Sequence, residues 1–348
     1  MASRELSSPV RIGVLGAARI APFALMAPAR QLPEAKVLAV AARDVRRARQ
    51  FARKHDVQLA FGSYEALLEN QHVDAVYNPL PNSLHAPWTV KALAAGKHVL
   101  LEKPFTSNAD EAAEVLAASE RHGRVVVEAF HWRFHPMAAR MVELCQRGPY
   151  GRIEHIETSM CIPLPMPGDI RFQLGLAGGA MMDTGAYAAH MLRQLSGEEP
   201  TVKGARATLM SPGVDRAMEA DVSLPSGGTG RLRCSLLSRR LLDVGVRVRF
   251  ERGELRAFNP VGPQLGHRLR HRAHGERWVS ETFPRRATYT YQLEAFCARL
   301  LHGTPLPTVA DDGLRNMQLI DAVYRAAGLA PRGQPTPVGS GASTEASR

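Results

Sequence analysis

Lys103 stands in Glu102-Lys103-Pro104, directly after the short apolar run His98 to Leu101. A lysine at the end of a buried strand can hydrogen-bond a substrate oxygen and take part in proton transfer. Far downstream, the stretch from Gly178 to His190 holds Asp183, Tyr187 and His190. If it is helical, Asp183 and Tyr187 are four apart and share a face, with His190 three further on. An acid, a phenol and an imidazole on one stripe make a wall suited to an alcohol. Each residue also has a plainer reading: Lys103 as a surface charge, Asp183 as a helix cap, His190 as a packed core histidine.

A nucleotide is the natural partner for such a wall. Gly13-Val14-Leu15-Gly16-Ala17-Ala18-Arg19-Ile20-Ala21 follows an apolar run and opens a helical stretch. A dinucleotide fingerprint needs little side chain here, so that backbone and helix N–H groups can approach a pyrophosphate. The motif is degenerate, with Ala18 and Ala21 where glycine is common. The second strand ends at Ala41-Ala42-Arg43-Asp44. An acidic residue at that place accepts from the ribose 2′-OH of NAD, whereas an arginine suits the 2′-phosphate of NADP. Arg43 is the phosphate candidate, with Arg46 or Arg47 beside it; NADP is the expected cofactor and NAD the alternative.

The elements that must hold these residues alternate over the first 130 positions. Strands are expected at Val10–Leu15, Lys36–Ala42, Val73–Tyr77, His98–Leu101 and Val125–Ala129. Helices are expected at Ala21–Leu32, Asp44–His55, Asn82–Ala95 and, after a capping box of Asn108 and Glu111, up to His122. This alternation implies βαβ units and a doubly wound parallel sheet. Beyond residue 150 the period changes to two. Val244, Val246, Val248 and Phe250 alternate with Gly245, Arg247 and Arg249. Arg152–Ile162, Thr201–Leu209, Ala217–Leu224 and Gly230–Ser238 also read as strands, so an open, mostly antiparallel sheet is expected. Leu314, Met317, Ile320, Val323 and Tyr324 form a late helical stripe. The fold class is α/β, a Rossmann domain followed by an α+β domain. The expected division is 9–130 for the nucleotide domain and 131–310 for substrate and oligomerisation. A helix at 311–328 should pack back on the nucleotide domain, and 331–348 should be a disordered tail.

Composition narrows the field. The net charge is +11, but the basic residues are spread along the chain apart from a cluster between Arg268 and Arg286. That distribution is read as a solvated surface rather than a nucleic-acid face. No run of about 18 apolar residues offers a membrane span, and Met1 to Val10 lacks a signal-peptide pattern, so a cytoplasmic protein is expected. Cys145, Cys161, Cys234 and Cys297 lie far apart and fit reduced thiols. Glu128, His131, Arg133 and His135 crowd one stretch without a closing ligand set, and His267, His271 and His274 read as a basic exposed loop. No metal site is expected.

In order, the glycine turn, Asn78-Pro79-Leu80-Pro81-Asn82-Ser83-Leu84-His85, Ala95-Gly96-Lys97-His98-Val99, Glu102-Lys103-Pro104 and the Asp183…Tyr187 segment resemble the Gfo/Idh/MocA oxidoreductases. The match is specific from about Val10 to Pro200 and looser to Ala327. Tyrosine four after the aspartate resembles the glucose–fructose oxidoreductase and dihydrodiol dehydrogenase branches, and departs from the histidine of inositol dehydrogenases. The resemblance implies a cofactor site of Gly16, Ala17, Ala18, Arg19, Ile20, Arg43, Pro79, Leu80, Asn82, His85, Glu102 and Lys103. It implies hydride transfer at a CH–OH or C=O carbon of a sugar, ketosugar or cyclic diol, with Tyr187 as acid/base, Lys103 on the reacting oxygen and lowering the phenol's pKa, and Asp183 orienting. Arg171, in Asp169-Ile170-Arg171, is expected either to hold a substrate hydroxyl or phosphate or to make a loop salt bridge. His190 is expected as a substrate contact. A homodimer or homotetramer through the later sheet is expected by analogy. The competing expectations are an enzyme with tightly bound NAD(P) that oxidises, eliminates and re-reduces a glycoside, and a non-catalytic NADP sensor.

Overall fold

Val10–Leu15 (β1) is buried along almost its whole length, the burial of a strand covered on both faces. In the computed structural model of the chain it is joined by Ala35–Ala41 (β2), Leu59–Phe61 (β3), Ala75–Asn78 (β4), His98–Leu101 (β5) and Val126–Glu128 (β6). These six form one parallel sheet of order β3-β2-β1-β4-β5-β6. The order reverses between β1 and β4, the place where ligands bind in doubly wound sheets. The structure describes residues 6, 8–164, 168–238, 242–308 and 310–334.

The connecting helices start where side chains satisfy free backbone N–H groups. Asp44 accepts from Arg46 N–H and opens α2, Val45–His55. It follows a single helical turn, α1, Ala27–Ala29. Ser63 caps α3, Tyr64–Leu68, and α4 runs His85–Ala94. Asn108 accepts from Glu111 N–H to open α5, Ala109–His122, while Glu111 reaches back to the N–H of Ser107, one residue earlier than in a standard box. Two expectations differ from what is observed. Ala21–Leu32 is not one helix: a π-turn at Pro22–Met26 precedes α1, because Pro28 has no N–H to close an α-ladder. The β3–α3 unit was not anticipated, since a three-residue strand shows no period.

Ile153–Cys161 (β7), Thr201–Ser211 (β8), Val214–Ser223 (β9), Thr229–Ser235 (β10), Asp243–Phe250 (β11), Gly253–Phe258 (β12), Arg268–Ala273 (β13) and Val279–Glu281 (β14) build the second sheet. Its order is β14-β13-β12-β11-β7-β10-β9-β8. Only β10 and β7 run parallel; their neighbours are antiparallel. Val244, Val246, Val248 and Phe250 face the core, while Arg247 and Arg249 face outward. Helices α6 (Pro136–Gln146) and α7 (Ala186–Ser196) pack together, and α7 covers the inner face at β7 and β10. The stretch read as an exposed histidine loop is largely β13. There His271 is buried between the Tyr150 hydroxyl and Glu281.

The span 131–310 is not one spatial unit. Helix α8 (Thr288–His302) returns to the first sheet, where Leu293, Phe296 and Cys297 pack with Val10, Ile12, Leu25 and Tyr77. Burial of side chains this size contributes about 1.5–3 kcal/mol each, which draws the helix across. Helix α9 (Ala310–Ala326) packs on α5 of the nucleotide domain, and also on β8 and α7. The tail also differs from expectation at its start. Arg332 is buried, with Nη2 2.6 Å from Asp215 Oδ1, Nε donating to Gly178 O at 2.6 Å, and the guanidinium over the Tyr324 ring. Residues 335–348 lie outside the described residues.

Asp215 also accepts from Met181 N–H at 2.7 Å and from the Tyr324 hydroxyl at 3.0 Å. Removing one side of a buried pair strands a charge and typically costs about 3–5 kcal/mol. Asp215→Ala is therefore expected to lower unfolding free energy by about that amount in a denaturant titration. Asp311→Ala, which breaks an exposed pair with Arg315, should cost under about 1 kcal/mol.

Candidate active site

The β1 strand ends in a turn that only glycine suits. Gly16 has φ +90°, and a Cβ there would sit 3.0 Å from Leu80 Cδ2. Its N–H donates to Ala41 O at 2.8 Å, which ties the turn to the end of β2. Ala17 and Ala18 are half-buried, and Arg19 and Ile20 are exposed. Little side chain covers this backbone, and helical turns begin just beyond it, so the donor set fits a pyrophosphate. Arg43 is exposed after β2, without an ion pair among the described residues. With Arg47 it exerts a positive field at the Tyr64 phenol, which burial pushes upward. Arg47 donates to Ala17 O at 3.2 Å. A free guanidinium beside the glycine turn fits a 2′-phosphate.

The loop after β4 is built around Asn78 and His85, both buried. Asn78 donates to His85 O and Thr89 Oγ1 and accepts from Leu80 N–H. His85 places Nδ1 2.7 Å from Pro104 O and Nε2 2.8 Å from Leu80 O. The imidazole thus sits between the Pro79–Leu80 loop and the segment after Lys103, and in its neutral form its one N–H donates to one of the two carbonyls. Asn82 reaches across to Ala177 O at 2.9 Å. Glu102 is half-buried and accepts from the Tyr77 hydroxyl at 2.6 Å; its desolvation pushes the carboxyl up.

Lys103 Nζ donates to Asp183 O at 3.1 Å and makes a short bond to Asp183 Oδ1. Arg171 Nε lies 2.9 Å from Asp183 Oδ2, and its Nη1 lies 3.1 Å from Asp169 Oδ1. Arg19 Nη2 is 3.5 Å from Asp169 Oδ2. Charges alternate along the cleft in the order Lys103, Asp183, Arg171, Asp169, Arg19, and join both sheets. Burial alone would raise the Asp183 carboxyl, but the two flanking cations pull it below its ordinary value. Asp183 lies in a π-turn, Met181–Gly185, ahead of α7 and does not cap it. Gly179 and Gly185 let that turn approach closely: a Cβ at Gly179 would collide with Asp215, and one at Gly185 with Met181 Sδ and Cys234 Sγ. Lys103 Nζ also sits 5.0 Å from the centroid of the Tyr187 ring.

These residues line a cleft of about 290 Å³ outside the carboxyl end of β5, with Ile20, Pro79, Leu80, Asn82, His85, Glu102, Lys103, Arg171, Asp183 and Tyr187 in its walls. Ile170, beside Arg171, also lines it, as do Met160, Ile162, Leu176 and Tyr289, for which no place here was expected. Met160 and Ile162 were visible only as alternate positions of a strand. A larger cavity, about 540 Å³, lies on the outer face of the second sheet among Arg233, Arg247, Arg256, Arg268 and Arg270, away from these groups.

Two expectations are corrected. His190 is no substrate contact. It is fully buried, stacked on Phe130 at 3.9 Å, with Nδ1 accepting from Trp132 Nε1–H and Nε2 2.9 Å from Asp312. The Trp132 donor fixes its tautomer, so Nε2–H donates to the carboxylate. The second concerns the Tyr187 phenol, which stands above rather than below its ordinary value. Burial pushes it well above its ordinary value, and Tyr289, Glu102 and Asp183 add to the effect; the Lys103 charge is spent on Asp183. Tyr187 Oη instead lies 2.9 Å from His131 Nε2. Nothing in the residues around His131 had pointed to the cleft.

Residues 10–130 match the model of the oxidoreductase family with an NAD-binding Rossmann fold, and residues 138–256 match the GFO/IDH/MocA C-terminal domain. The chain belongs to the Gfo/Idh/MocA oxidoreductases. This Gfo/Idh/MocA member is 36% identical over 317 residues to D-xylose 1-dehydrogenase (NADP(+)) 2 of Haloferax volcanii, covering 90% of this chain and 96% of the relative. It is 31% identical to dTDP-3,4-didehydro-2,6-dideoxy-alpha-D-glucose 3-reductase of Actinomadura kijaniata, over 91% of this chain and 95% of that one. A solved 3-ketoreductase of Actinomadura kijaniata in complex with NADP and TDP-benzene shares the fold at TM-score 0.83 and 28% identity, covering 91% of this chain and 98% of that one. Among the described residues of this oxidoreductase, no helix is long and apolar enough to cross a membrane.

Burial pushes the His85 imidazole down to about 4, against the pull of its two carbonyl partners. A depressed value means that the stability it contributes is complete above the unfolded value of about 6.5 and fades as pH falls toward 4. The stability advantage of the wild type over His85→Gln should therefore shrink by on the order of 2 kcal/mol between about pH 7.5 and pH 5. Paired denaturant titrations at the two pH values measure this difference.

Proposed function

We propose that this chain is an NADP-dependent oxidoreductase that interconverts a CH–OH and a C=O carbon of a free, sugar-like substrate. The observation that carries the reading is the convergence of Lys103, Asp183 and Tyr187 on one small cleft at the carboxyl end of β5. The Gly16 turn, Arg19 and Ile20 would hold the pyrophosphate side of NADP, and Arg43 the 2′-phosphate. Pro79, Leu80, Asn82, His85 and Glu102 would hold the nicotinamide side. When bound, the nicotinamide takes up or releases the hydride of the reacting carbon.

The chain's own residues handle the oxygen. Lys103 has three N–H donors and uses two on Asp183, which leaves one for the reacting oxygen. Tyr187 keeps its proton firmly because of burial, and so is in its proton-donating form for a carbonyl. Asp183 orients Lys103 and Arg171 through both carboxylate oxygens. Arg171 has guanidinium N–H groups beyond those bonds to offer a second hydroxyl. A cleft of about 290 Å³ is at the small end for ligand sites. It favours an unlinked sugar, as in the relatives named for D-xylose 1-dehydrogenase, over a nucleotide-linked ketosugar, as in those named for dTDP-sugar 3-reductases. The outer face of the second sheet, where Phe258 stands exposed, is the proposed pairing surface of a homodimer or homotetramer.

A screen of free aldoses, ketosugars, diols and dTDP-linked sugars with NADP and NAD, read at the reduced nicotinamide band, should respond to a free sugar with NADP. Lys103→Ala and Tyr187→Phe should each lower kcat by about 10²–10⁴-fold. Full activity of both variants, or no affinity for either pyridine nucleotide, refutes the proposal. In the same assay Arg43→Ala should weaken NADPH binding by about tenfold or more while leaving NADH nearly unchanged, since only the 2′-phosphate needs the guanidinium.

A further inference from the structure

The Tyr187 hydroxyl has a partner outside the cleft. His131, in the turn after β6, places Nε2 2.9 Å from Tyr187 Oη and Nδ1 2.8 Å from Thr288 Oγ1, at the first turn of α8. All three residues are buried. The imidazole also lies against the Tyr289 ring, centroids 4.1 Å apart. The chain Tyr187–His131–Thr288 thus joins the second domain's helix to both the end of the parallel sheet and the helix that crosses back over it.

We infer that His131, backed by Thr288, is a positioning residue that sets which way the Tyr187 hydroxyl proton points. The inference rests on the reading that Tyr187 serves the reacting oxygen. A neutral imidazole carries one N–H and one lone pair. Burial pushes His131 down to about 3, and the Lys103 charge works in the same direction, so the ring is neutral at ordinary pH. With the proton on Nδ1, His131 donates to Thr288 and Nε2 accepts the Tyr187 O–H. The phenol then offers lone pairs to a substrate hydroxyl. With the proton on Nε2, His131 donates to Oη, and the Tyr187 O–H is free for a substrate carbonyl. Thr288, both donor and acceptor, satisfies Nδ1 in either state. In the second state Nε2–H also supports the phenolate oxygen left when Tyr187 gives up its proton, a charge-assisted bond in a dry site.

The test uses the full chain with the sugar found in the screen above. His131→Phe keeps a ring against Tyr289 and removes both nitrogens; Thr288→Val removes only the second link. His131→Phe should lower kcat by about tenfold to a hundredfold while KM for the sugar and Kd for NADPH stay within about threefold. The alkaline limb of the kcat profile, governed by Tyr187 among Lys103, Glu102, Asp183 and Tyr289, should move to higher pH. His131→Gln should recover most of kcat, and Thr288→Val should show a smaller loss of the same kind. In the ligand-free protein, ¹⁵N resonances should show His131 neutral at about pH 6, with one protonated nitrogen. Wild-type kcat and pH limb in His131→Phe, or no recovery in His131→Gln, overturns the inference; so does a charged imidazole at about pH 6. Tyr187→Phe run in parallel separates the two readings. If Tyr187→Phe is inactive while His131→Phe is normal, this inference alone fails. If Tyr187→Phe is fully active, the acid/base assignment beneath it fails as well.

Discussion

The contact between Lys103 and Asp183 is the constraint on which the cleft depends. It joins the end of β5 to the π-turn that opens α7, so it fixes the two domains' reactive elements against each other. Both side chains are largely out of water, 13% and 16% exposed. Separating them would leave a charge in a poorly solvated place, which costs more than the pair contributes when intact. Arg171 adds a second cation to the same carboxylate, and Asp169 and Arg19 carry the alternation to the glycine turn. The wall of the cleft is therefore a line of opposite charges, in which each member is held by the next.

The fold supplies rigid anchors for that line. Lys103 leaves a strand whose neighbours β4 and β6 are both buried, and His85 pins the segment just after it. On the other side, the turn carrying Asp183 is pressed against β10 at Gly185, and it is tied at Met181 N–H to Asp215, itself held by Arg332. A residue from the last described segment thus acts on the same turn as a residue from the second sheet. Helix α9 makes this economical, because it packs on α5 of the first domain as well as on β8 and α7 of the second. The domains share this helix, and relative motion between them must work against its packed faces.

Much of this was legible in the residues, and the gaps have physical causes. The five anticipated strands of the parallel sheet lie within two residues of their observed ends, because buried β-branched runs and Asp or Asn caps are local signals. Short elements were lost: β3 has three residues, and β13 was obscured by arginines and histidines whose inward member, His271, is satisfied by Tyr150 and Glu281. The spacing of Asp183 and Tyr187 pointed to one wall, yet the same helical logic wrongly added His190. Only the fold reveals that Trp132 and Asp312 occupy both its nitrogens. The partner of Tyr187 was equally hidden. His131 precedes it by 56 positions, and nothing local distinguishes it from His135, which caps α6.

The charge balance of the cleft bears on which chemistry it favours. Lys103, Arg171 and Arg19 face Asp183 and Asp169, three cations against two anions. Asp183 is held charged by its two partners, so it cannot cancel the excess by taking up a proton near neutral pH. Burial pushes the Tyr187 phenol and the Glu102 carboxyl up, so each holds its proton more tightly than in water. The N–H groups of Lys103 and Arg171 that are not used on Asp183 are left to face the cleft. A hydroxyl that loses its proton as its carbon is oxidised, or a carbonyl oxygen that gains charge as its carbon is reduced, passes through a partly anionic state. Preoriented N–H donors in a site of low dielectric stabilise that state more than the neutral oxygen on either side of it. The same field would disfavour a cationic substrate.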